Sequence, residues 1–147
     1  MPFDSPSSAA EQAPLLTDLV IPRAAAWPGD DDPVVAALHD ALAKIATPRQ
    51  WCKFRLSMPR KWWRLWQPPR YCSLGALFAT IKDHCLRQQC EMALNKAVRL
   101  RGLGPDYNEL AQYNDRPATT HADIMAVWAD AIAIARAAAS KPPVRTV

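Results

Sequence analysis

Glycine is scarce in this chain, with four in 147 residues. That leaves little room for a dinucleotide fingerprint, and no Gly-rich phosphate loop, nucleophile elbow or His-Glu-x-x-His occurs. Enzymes that declare themselves by such motifs are excluded; those whose catalytic groups meet only in the fold are not. Long apolar runs are missing too: none approaches the roughly 18 residues that cross a bilayer. No basic region followed by an apolar stretch opens the chain, so no secretory signal is read and a cytoplasmic location is expected. Cys-x-x-Cys is also absent. Cys52, Cys72, Cys85 and Cys90 therefore read as reduced thiols and not as a disulfide framework. On a continuous helix Cys85 and Cys90 would stand about 140° apart, a poor zinc pair. His84, next to Cys85, would not face it across a helix, so no nucleophile and base are paired. Neither His39 nor His121 has a sequence-level partner. No metal, cofactor or catalytic residue is assigned.

Acidic residues are absent from 41–82, which holds nine of the eighteen Lys and Arg side chains. Residues 1–33 show the reverse, six acids against Arg23 alone. The net charge of +4 therefore hides a split that bears on electrostatic partners more than on fold.

The pattern predicts a mainly α fold: a small helical domain of about four helices, with a short β-hairpin inserted after the first. Residues 1–32, mixing Pro, Ser, Ala and Asp without a period, predict a flexible acidic arm in which Leu15, Leu16, Leu19, Val20 and Ile21 are able to dock. A single globular domain is expected over 33–139, and a disordered tail over 140–147. Asp32 as N-cap with Pro33 at the first helical position starts a helix whose apolar face is Val34, Val35, Leu38, Ala41, Leu42 and Ile45.

Cys52, Phe54 and Leu56 alternate with Lys53 and Arg55, the period of a half-buried strand. Ser57 to Arg60 would turn the chain and Trp62 to Trp66 return it, until Pro68-Pro69 ends any ladder. Ser73 is the expected cap of a helix bearing Leu74, Leu77, Phe78 and Ile81, and Gly75 in its first turn suggests close packing on another backbone. A break near His84 precedes a helix over 85–101, with Leu86, Cys90, Ala93, Leu94, Ala97 and Val98 inward and Gly102 as terminator. One helical turn is expected around Glu109-Leu110-Ala111. Thr120 with Asp123 makes a capping box for a last helix with the stripe Ile124, Val127, Trp128, Ala131, Ile134 and Ala135.

The order of these motifs resembles a family of small bacterial and phage proteins grouped as domain of unknown function 6197. The resemblance runs from about residue 34 to 136. It rests on Trp51-Cys52, on Cys72-Ser73-Leu74-Gly75-Ala76-Leu77, and on Tyr113-Asn114-Asp115 followed by Thr120. That family commonly has Trp where this chain has Tyr113, and the loop here is unusually basic and Trp-rich. The resemblance implies a compact helical domain with a small hairpin, and implies no activity, substrate or cofactor.

The strongest local feature is the segment from Trp51 to Tyr71. Lys53, Arg55, Arg60, Lys61, Arg64 and Arg70 alternate there with Trp51, Phe54, Trp62, Trp63, Trp66 and Tyr71. Cations neutralise phosphates while rings stack on unpaired bases, so nucleic acid is one expected partner and an acidic protein surface another. The bland reading puts the rings in the core and the cations around them as a solvated rim. Bilayer-interface association is weaker, because the hairpin is one short unit without a second anchoring signal. The alternative to a binding protein is a small enzyme or ligand-binding domain using Tyr113, Asn114 and Asp115 as a ligand loop, although Asn and Asp before a helix more often make turns and caps.

Overall fold

A computed structural model describes residues 30–58 and 62–141, apart from the side chain of Arg64. Most of the expected arm and tail therefore lie outside the described residues, as do Arg60 and Lys61.

Helices begin where the chain supplies an acceptor for their orphan N–H groups. Helix α1, Pro33–Leu42, is capped by Asp32, whose carboxylate accepts from the Val34 and Val35 amides, and a 3-10 turn, Ala43–Ile45, extends it. Strand β1, Ser57–Met58, pairs antiparallel with β2, Arg70–Tyr71, in the register Ser57 to Tyr71 and Met58 to Arg70. Helix α2 is Ser73–Thr80. Helix α3, His84–Arg99, is capped by Asp83 after a break at 81–83, close to the expected one. The single turn expected at Glu109 is a six-residue helix α4, Leu110–Asp115, which brings the described α-helices to five. Helix α5, His121–Ala139, carries the full capping box: the Thr120 hydroxyl accepts from the Asp123 amide, and the Asp123 carboxylate accepts from the Thr120 amide.

Helices α3 and α5 make the most extensive pair, and α1 packs on both and on α2. The shared core contains Leu38, Ile45, Leu77, Leu94, Leu110, Ile124, Val127 and Trp128. On α5 the stripe includes Ile132, with Ile134 only partly buried against the core. Phe78 stands half exposed with the Arg87 guanidinium 4.3 Å from its ring centroid, and so is not part of the core face expected of it.

Two expectations are corrected by contacts distant in sequence. Ser73 does not cap α2, because its hydroxyl is taken up in a buried network described below. Cys72 is the cap, its sulfur accepting from the Gly75 amide at 3.2 Å. Nor do residues 52–56 form a strand, and Trp62–Arg64 do not return as one; the latter is a 3-10 turn within the loop that joins β1 to β2. The alternation fails at Phe54, whose φ of 62° is left-handed, a conformation that costs a residue with a Cβ about 1–3 kcal/mol. The Asp115 carboxylate holds it there, accepting the Phe54 amide at 2.7 Å. The kink turns Phe54 outward, 71% exposed, and ends any strand period.

Candidate functional site

A polar clasp anchors the Trp-rich loop. Asn114, on α4, is 1% exposed yet carries two donors and an acceptor that burial would otherwise strand. Its Oδ1 accepts from the Trp51 indole at 2.8 Å, the Ser73 amide at 3.2 Å and the Ser73 hydroxyl at 3.3 Å. Its Nδ2 donates to the Cys52 carbonyl at 3.2 Å and to the Asp115 carboxylate at 2.9 Å. Ser73 Oγ in turn accepts from the buried Trp128 indole. One side chain therefore ties the start of the loop, the first turn of α2 and, through Ser73, the core of α5. Every donor and acceptor of Asn114 is spent inside the protein. Tyr113 is buried as well, and burial raises its phenol pKa.

Backbone contacts complete the anchor. The Cys52 amide donates to the Tyr71 carbonyl and the Tyr71 amide to the Gln50 carbonyl. The Leu56 carbonyl accepts from the Cys72 amide and lies over Gly75, where a Cβ would stand 1.6 Å from it. The close backbone approach expected at Gly75 is thus present, and only a residue without a side chain permits it.

Two of the expected contact cations are part of this anchor. Lys53 donates to the Arg116 carbonyl at 2.7 Å and to the Pro117 carbonyl at 3.2 Å, just past the C-terminus of α4, where a cation is favoured. Arg70 donates from Nε and Nη2 to the Trp51 carbonyl. Trp51 itself packs against the core, its ring centroid 5.9 Å from that of His121, whose Nε2 lies 2.8 Å from the Ile45 carbonyl oxygen.

The far part of the loop is different. Trp62, Trp63 and Trp66 are 78%, 56% and 77% exposed, against the bland expectation that the rings fill the core. Trp62 and Trp63 meet edge to face at 5.6 Å. Leu56, Leu65 and Arg55 are exposed on the same loop. Trp66 also walls a cleft of about 580 Å³ with Arg49, Gln67, Pro68 and Arg70. Arg49 and Gln67 were not singled out from the sequence; Arg49 lies within the acid-free window, and only the fold sets it beside Trp66.

Three of the four thiols, Cys52, Cys72 and Cys90, are buried, and Cys72 lies close enough to Cys52 to disfavour its thiolate. Burial raises the pKa of Cys52 and Cys72, and that of Cys90 to about 11, while Cys85 is exposed. Among the described residues no group of three or more His, Cys, Asp or Glu side chains is arranged to hold a metal ion. No described helix is long and apolar enough to cross a membrane.

Comparison with curated proteins and with solved structures finds no match. Comparison with protein families matches residues 29–134, which include every element from α1 to the larger part of α5 and the whole clasp, to a family of unknown function, DUF6197. With most of its length matched, and with the clasp built from the motifs that carried the resemblance, the chain belongs to that family.

Proposed function

We propose that this protein is a non-enzymatic binding module that engages single-stranded nucleic acid through its Trp-rich basic loop. The observation that carries the reading is the exposure of Trp62, Trp63 and Trp66 on a loop whose two ends are fixed to the fold. Stacking of a base on an aromatic ring is worth about 1–3 kcal/mol and tolerates any sequence. Arg49 and Arg70 stand in the cleft that Trp66 walls, and Arg55, Arg60, Lys61 and Arg64 lie in the same stretch of chain. Lys53 serves the anchor and not the contact.

The second reading is an acidic protein partner. It is favoured by Phe54, Leu56 and Leu65, exposed apolar side chains of the kind a protein interface buries. A small-enzyme reading centred on Tyr113, Asn114 and Asp115 has no comparable support, because Asn114 has no capacity left for a ligand.

Fluorescence anisotropy of a labelled oligothymidylate across a salt series tests the first reading. Binding is expected at low salt, with a log–log slope of about 0.7 per phosphate neutralised. Trp66→Ala should weaken it. Absence of binding at low salt, or binding indifferent to salt, would overturn the nucleic-acid reading; polyglutamate bound in place of the oligonucleotide would favour the acidic-protein one.

A further inference from the structure

Helices α1, α3 and α5 leave an apolar groove of about 420 Å³ between them. Val34, Met92, Ala93, Ile134, Ala135 and Ala138 line it, with Lys96 at its rim. Met92 is 64% exposed there, beside the partly buried Val34 and Ile134, so the apolar lining is continuous across the three helices. The small alanine side chains of α5 make the groove a receptor for larger residues supplied from elsewhere.

We propose that the groove is the docking site of the chain's own preceding segment, Leu15 to Trp27. The place where the described chain begins supports this occupant. Asp32 lines the groove, and two residues earlier Asp30 is held to α5 by Arg136, Nε to Oδ1 2.7 Å. Trp27 is three residues upstream of Asp30, and Leu15, Leu16, Leu19, Val20 and Ile21 lie a little further away. Residues 22–29 span up to roughly 30 Å when extended, enough to bring Ile21 back over the groove. The segment brings bulky apolar side chains to an alanine-lined groove, and Asp18 to Lys96 at the rim. A short tether holds such a segment at an effective concentration of about millimolar, so a second copy of the protein at micromolar concentration competes poorly.

The test uses the full chain labelled with 13C at its methionine methyls, Met1, Met58, Met92 and Met125. In the unaltered protein the Met92 methyl should show nuclear Overhauser contacts to the Leu15–Ile21 methyls or the Trp27 ring. In Leu16→Asp/Leu19→Asp/Trp27→Ala those contacts should disappear and the Met92 signal shift, with Met125 unmoved. The same Met92 spectrum in both proteins would overturn the proposal. So would contacts that vanish on tenfold dilution, which would mark a second copy as the occupant. A Met125 signal that moves as far as that of Met92 would also overturn it, because the segment would then be supporting the core and not filling a groove.

Discussion

Replacing Asn114 with alanine should separate the loop from the helices that hold it. The substitution removes five hydrogen bonds and leaves four groups without their partner: the Trp51 indole N–H, the Ser73 amide, the Ser73 hydroxyl proton and the Cys52 carbonyl. Ser73 Oγ still accepts from the Trp128 indole, but that bond does not satisfy its own proton. A buried polar group stranded in this way costs about 1–3 kcal/mol. Trp51 is partly exposed and recovers part of its loss from water, and the freed Ser73 hydroxyl is able to rotate, so the sum falls at the lower end, about 4–6 kcal/mol. Domains of this size have about 5–15 kcal/mol in total, so Asn114→Ala should take away a large share of the stability. The expected fall in Tm is about 15–25 °C.

Urea denaturation followed by circular dichroism measures this, and the Trp51 indole resonance reports the local contact. Asn114→Asp sharpens the test. It keeps an acceptor for Trp51 and Ser73, loses the donors to Cys52 and Asp115, and sets a second carboxylate beside Asp115. Its cost at neutral pH should match that of alanine or exceed it, and should shrink on acidification as one of the two carboxylates takes up a proton. A loss below about 1 kcal/mol for Asn114→Ala would refute the view that this residue holds the loop.

Gly75→Ala has a diagnostic sign. On an open helix surface the change stabilises by about 1 kcal/mol, but here the new Cβ meets the Leu56 carbonyl, and a loss of roughly 2–3 kcal/mol is expected in the same denaturation assay; a gain would show that β1 yields freely. At the start of α5, the Thr120 amide and then its hydroxyl hold the Asp123 carboxyl below the usual aspartate range. A depressed pKa contributes stability that is complete above the unfolded value and fades as pH falls through the folded one. The stability gap between the unaltered protein and Asp123→Asn should therefore be present at pH 7 and close in the acid range below pH 4. A gap that does not change with pH would count against the capping box as its source.

What the sequence disclosed follows the range of the interactions involved. Asp32 with Pro33, and Thr120 with Asp123, are legible because donor and acceptor are at most three residues apart. The burial stripe of α3 is legible for the same reason, since one helical period fixes it. Asn114 and Asp115 look like local turn chemistry, yet apart from the bond between them their partners lie 41 to 63 residues away. The same distant carboxylate sets Phe54 left-handed and defeats the strand period. Cys72 replaces Ser73 as the cap because a buried asparagine has taken the serine. In each case a local preference gave way to a nonlocal hydrogen bond that burial made costly to leave unmade.

The clasp fixes where the loop stands and leaves open what the loop contains. Trp51 and Cys52 hold one end, and Arg70 to Ser73 hold the other, between them closing β1 on β2. None of the hydrogen bonds of the clasp involves Trp62 or Trp66, which stand 78% and 77% exposed. Serine or lysine at those positions would leave the anchor intact and be better solvated. A large apolar side chain left in water forgoes about 1.5–3 kcal/mol that burial would yield, and several such side chains crowded on one short loop forgo it together. Their exposure is the physical reason for seeking this protein's function in the loop and for reading its Asn-Asp motif as the loop's anchor.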